Sequence, residues 1–162
     1  MKCLNKTIFA TITLAAIFSA QAADPSPTLT LRSLAPPIAH QMVFAAVDDC
    51  SRRGYKVSAA VVDRHGNLAA FLRDPLSGPH TIEVSQRKAY SSASLQTATS
   101  QMAGRTDLSF APGILLIVGG LPIEFGGNFY GGVAVSGAEP EIDEACAQAG
   151  IDAVADAIEF AD

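Results

Sequence analysis

The chain has 162 residues, 49% of them hydrophobic and 17% charged, with 16 acidic residues against 11 basic ones. A formal charge of −5 with scattered Arg and Lys lacks the basic footprint that nucleic acid or an anionic membrane surface requires. The length is that of one domain, enough to bury roughly two-thirds of the unfolded surface.

Residues 1–22 read as a secretory signal. Lys2 and Lys6 give a positive start, Thr7 to Ser19 is uncharged and mostly apolar, and Ala20-Gln21-Ala22 supplies a small-x-small cleavage site. The apolar run is too short to span a bilayer, and no stop-transfer pattern follows. Cleavage after Ala22 leaves 140 of the 162 residues; losing Lys2 and Lys6 moves the charge from −5 to −7. The expected product is an exported single domain, residues 23–162, periplasmic or secreted and not inserted in a membrane. Cys3 falls in the part removed. Cys50 and Cys146 remain, and in an oxidising compartment they read as a disulfide or as two buried free thiols.

Pro25 and Pro27 mark a leader before the first helix, which is predicted to begin near Ser33 with that serine as its cap. Ala39, Val43, Ala46 and Cys50 form its apolar stripe, and Arg52-Arg53-Gly54 ends it. Tyr55 to Val62 and Leu68 to Leu72 flank the polar turn Asp63-Arg64-His65-Gly66-Asn67, the pattern of a β-hairpin. After the loop Asp74 to Pro79, a second helix is predicted over about Thr81 to Thr97. Its small residues around Ala89 and Ser91–Ser94 admit another backbone or a flat ligand at close range. Gln101 to Phe110 reads as a short helix and then loop.

Ile114 to Val118, wholly apolar and bounded by glycines, reads as a strand. Leu121 to Phe125 and Phe129 to Val135 form a second hairpin around Gly126-Gly127-Asn128. A last helix starts at Pro140. The expected fold is therefore α+β, ordered α-β-β-α-β-β-β-α, with a roughly five-stranded antiparallel sheet packed by helices.

The glycine pairs match neither phosphate-binding fingerprint. No HxH or HExxH pattern links His40, His65 and His80, and no GxSxG elbow is present. Thus no catalytic residue set emerges. His40 stands one turn before Phe44 beside an apolar strip; it reads as a surface histidine or as an imidazole able to ligate haem iron. His80 opens the second helix and could cap it or face a ligand. Arg73, Arg87 and Lys88 are ordinary solvated charges or partners for carboxylates such as haem propionates.

Four ordered segments are similar to a known family. They are Val61-Val62-Asp63-Arg64-His65-Gly66-Asn67-Leu68, Ser85-x-x-Lys88-Ala89-Tyr90-x-Ser92-Ala93, Gly119-Gly120-Leu121-Pro122-Ile123 with Gly131 to Gly137, and Asp143-x-x-Cys146-Ala147-x-x-Gly150-Ile151. Together they resemble the GlcG/HbpS-like haem-binding family, across about Leu29 to Ile158. The resemblance implies a profilin-like domain, a homo-oligomer that is often an octamer, and haem as cofactor. It implies an iron ligand from the first helix, where His40 stands with Phe44; His80 lies where many relatives have another residue, so it is a local ligand or incidental, and Arg73, Arg87 and Lys88 stay candidates for the propionates. It further implies a role in haem or iron sensing or handling. The competing readings are an enzyme binding a small anionic metabolite through Lys88, Arg73 and the glycine-rich hairpin, and a non-catalytic accessory subunit.

Overall fold

Two hairpins build the sheet. In the computed structural model, which describes residues 26–102 and 104–161, β1 (Ser58–Asp63) pairs antiparallel with β2 (Leu68–Arg73), and β3 (Gly120–Phe125) with β4 (Asn128–Ser136). β1 and β4 then pair antiparallel in register Ser58–Ser136 to Asp63–Gly131, giving the strand order β2-β1-β4-β3. The expected signal segment, residues 1–22, lies outside the described residues. The architecture is that of the compact unit beginning at Leu31.

Strand alternation sends side chains to opposite faces of the sheet. Val57, Ala59, Val61, Val133 and Val135 face one core, with Ala39, Met42, Val43 and Ala46 of α1 (Pro36–Arg52) and Cys146 and Ala147 of α3 (Pro140–Asp152). Ala60, Val62 and Ala134 face the other, against Ala89 and Ala93 of α2 (His80–Leu95). The second core is built of small residues, so α2 lies almost on the sheet backbone. A Cβ on Gly132 would stand 2.4 Å from the Ala89 carbonyl oxygen, and one on Gly120 would stand 2.6 Å from that of Lys88. The close approach allowed by the small residues of α2 is thus used by strands.

On the first face, α1 and α3 touch closely: a Cβ on Gly150 would stand 2.8 Å from the Met42 carbonyl oxygen. Cys50 and Cys146 join these two helices in a disulfide, with Cα atoms 5.6 Å apart.

Several boundaries differ from expectation. Among the described residues the sheet has four strands, because Ile114 to Val118 makes no strand. Side chains of α2 take that segment's backbone groups instead of a ladder: the Leu115 N–H donates to Ser91 Oγ at 2.7 Å, and Arg87 Nη2 donates to the Ile114 carbonyl at 3.2 Å. In place of the short helix and loop expected over Gln101 to Phe110, the described residues form two 3₁₀ turns, Thr99–Met102 and Thr106–Phe110. The last helix is two, since the chain breaks at Ala153 and Val154 before α4 (Ala155–Glu159). The order is therefore α-β-β-α-β-β-α-α. Ser33 does not cap α1: the helix follows Ala35 with no side-chain cap. Prolines at its first two positions bring no N–H, which reduces the donors a cap must satisfy.

Candidate functional site

The β1–β2 turn is settled by Asp63. Its Oδ1 accepts from the backbone N–H groups of His65 and Asn67 at 2.8 and 2.9 Å, and its Oδ2 accepts from Asn67 Nδ2 at 3.1 Å. Asp63, His65 and Asn67 thus serve the turn. Partial burial pushes the Asp63 carboxyl up, but the hydrogen bonds from Asn67 and His65 outweigh it and hold the group below its ordinary value.

His40 projects from α1 onto an apolar recess of about 330 Å³ at the outer edge of the sheet. Val43 and Phe44 from α1 and Phe71 and Leu72 from β2 form its walls. Because β2 is an edge strand, no further strand among the described residues covers this side. His40 is exposed, and Phe44 is 64% exposed. An accessible imidazole beside the Phe44 ring and the Val43 and Leu72 side chains offers one nitrogen donor for a metal and an apolar platform next to it, while the Phe71 ring packs on the α2 face of the sheet. Phe71 and Leu72 complete the recess from a different element, which no local spacing around His40 could indicate.

The other expected site residues fall elsewhere. His80 begins α2, which covers the opposite face of the sheet from α1, so one fold does not bring His40 and His80 together. Its ring instead lies over Gly78, where an added Cβ would stand 2.7 Å from His80 Cε1. Arg73 turns its guanidinium to the Ser77 carbonyl. Lys88 is buried, with Nζ 2.8 Å from Asp143 Oδ2 and 3.0 Å from the Val135 carbonyl oxygen. It is therefore closed to propionates or to a substrate anion, which corrects both expectations for this residue. Burial pushes the Asp143 carboxyl up and the Lys88 amine down, more than their mutual attraction returns. Asp143 stands near the start of α3, and only the fold reveals it as the partner of Lys88.

Arg87 opens on a second recess, of about 470 Å³, between the β1–β2 turn, α2 and the loop at Pro112 and Gly113. Tyr90 lines it, held between two glycines in left-handed backbone conformation. A Cβ on Gly66 (φ 82°) would stand 2.6 Å from the ring, and one on Gly113 (φ 83°) would stand 3.0 Å from it. Two of the segments that carry the family resemblance, Val61 to Leu68 and Ser85 to Ala93, thus form facing walls of one recess. Among the described residues, no cluster of three or more His, Cys, Asp or Glu could hold a metal ion, and no helix is long and apolar enough to cross a membrane.

The chain is similar to several solved structures. HbpS matches at 34% identity over 81% of this chain and 96% of that chain, with a TM-score of 0.74. Klebsiella pneumoniae protein ORFY matches at 26% identity over 81% of this chain and 97% of that one, with a TM-score of 0.75. A PduOC:heme complex matches at 25% identity over 75% and 95%, with a TM-score of 0.69. No curated protein matches the chain. The family described as "Haem degrading protein HbpS-like" matches residues 34–152. With most of the length matched and the fold shared, the chain belongs to the HbpS-like family.

Proposed function

We propose that this chain is an exported haem-binding protein that holds haem at the His40 recess and acts in haem or iron sensing or handling. The observation that carries the reading is the shared recess of His40, Phe44, Phe71 and Leu72, which fits an iron porphyrin in donor type and in apolar surface. Family membership and the haem complex of a relative support the cofactor. When bound, haem supplies a redox-active iron; the chain supplies the imidazole of His40 and the aromatic surface that shields one side of the ring. The recess is shallow, so a second subunit would cover the other side, in keeping with a homo-oligomer. Export rests on the signal segment and on the Cys50–Cys146 bond, which suits an oxidising compartment.

Hemin titration of residues 23–162 tests the reading. A saturable shift of the Soret band is expected, weakened about tenfold or more in His40→Ala. No saturable change in the parent protein refutes haem binding; an unchanged spectrum and affinity in His40→Ala refutes the ligand.

A further inference from the structure

The recess beside Tyr90 has the features of a second, separate binding site. We propose that it takes a small organic carboxylate with a flat apolar body, held by Arg87 and packed against Tyr90 and Leu68.

The warrant is the state of Arg87. Its Nε donates to the Gly113 carbonyl at 3.5 Å and its Nη2 to the Ile114 carbonyl at 3.2 Å, so one edge of the guanidinium is anchored to the loop. Glu83 also lines the recess, with Oε1 3.6 Å from Nη1; it is 77% exposed and holds that nitrogen weakly, so an incoming carboxylate takes its place there and Glu83 turns to solvent. A guanidinium carries five N–H donors in a fixed fork. The anchoring therefore leaves N–H groups on its far edge, the pair that meets a carboxylate in bidentate fashion. Gln86 and Tyr90 line the same recess, and neither side chain hydrogen-bonds another described residue. Val62, Leu68 and Pro112 supply apolar walls.

The shape is imposed by the backbone. Gly66 and Gly113 clamp the Tyr90 ring from both sides, so the ring is a fixed wall whose position costs nothing further when a ligand arrives. A volume of about 470 Å³ suits a ligand of small-metabolite size. This site shares no lining residue with the His40 recess and stands independently of the haem reading.

Phenylacetate and its neutral isostere phenylacetamide distinguish the charge from the ring. The readout is NMR chemical-shift change of residues 23–162 at Tyr90, Leu68 and the Gly113 loop. Phenylacetate is expected to give saturable shifts there, with phenylacetamide binding at least about tenfold more weakly. Arg87→Gln should weaken phenylacetate by a similar factor. Because that variant also frees the loop, Leu68→Trp serves as the second: Leu68 is half-exposed at the rim, so a larger side chain fills the recess without entering the core. It should abolish the shifts while leaving hemin titration unchanged. Absence of saturable shifts, equal binding of the amide, full binding by Leu68→Trp, or displacement of phenylacetate by hemin at these residues would each overturn the proposal.

Discussion

Lys88 and Asp143 form an ion pair that water does not reach: Nζ and Oδ2 are 2.8 Å apart, with side chains 1% and 3% exposed. The pair ties α2, on one side of the sheet, to α3 on the other. Lys88 also donates to the Val135 carbonyl, and Asp143 Oδ1 accepts from the Ala138 N–H at 3.0 Å. Both charges are thus paired and hydrogen-bonded, the condition for burying them at all. Removing one partner strands the other. Lys88→Met or Asp143→Leu alone should cost about 3–5 kcal/mol in urea unfolding, and the double variant should recover much of that loss. A double variant no better than either single one would show that the pair does not act as a unit.

The Asp63 turn predicts a pH dependence. Hydrogen bonds hold its folded pKa below the ordinary value, so the folded state favours the ionised form. The stabilisation is then fully present above the unfolded pKa and is lost as pH falls through the folded one. The unfolding free energy of the parent relative to Asp63→Asn should be constant near neutrality and shrink below about pH 4. A gap that stays constant down to pH 2 would contradict this assignment.

The disulfide predicts a redox dependence of stability. It joins positions 96 residues apart and fixes α1 on α3. In the chain-entropy account a loop of that length contributes up to about 4–5 kcal/mol. Cys50→Ala with Cys146→Ala should lower Tm, and reductant should lower the parent's Tm toward the variant's value. Reductant should leave the variant itself unaffected.

How much of this was legible in the sequence depended on whether neighbours in space were neighbours in the chain. Both hairpins and the α1 stripe of Ala39, Val43, Ala46 and Cys50 follow from local pattern, and the structure forms them. Ile114 to Val118 misled because a short apolar run looks the same whether a strand or a set of side chains satisfies its backbone. Here Ser91 and Arg87, more than 20 residues away, do so. Lys88 looked like a free cation because its partner lies 55 residues on. His40 and Phe44 were legible as a helical pair; Phe71 and Leu72 reached them only through the fold. Gly66 was legible as a turn glycine, whereas its contact with Tyr90 needed the packing of hairpin on helix.

His80 separates ligand from bystander. It sits at the start of α2, on the face of the sheet away from α1, and its ring rests over Gly78. If haem occupies the His40 recess, His80→Ala should leave the Soret position and the hemin affinity of the parent. Loss of the spectrum in His80→Ala with retention in His40→Ala would move the iron to the other face of the sheet.

Gly132 sets the distance between α2 and the sheet. Its backbone faces Ala89 and Ala93 so closely that an added methyl would stand 2.4 Å from a carbonyl oxygen and 2.9 Å from an amide nitrogen. Neither atom belongs to a flexible side chain that can swing away, so the helix itself must move. Overpacking of this kind costs about 1–3 kcal/mol, and more where the backbone must yield. Gly132→Ala should therefore lower the unfolding free energy by that amount or more, read as a lower urea midpoint. Moving α2 also shifts Tyr90 against Gly66 and Gly113, so the same variant should broaden the Tyr90 resonances, while His40, carried by α1, keeps its chemical shift. A neutral Gly132→Ala would mean that α2 is not seated on β4 as closely as these contacts place it.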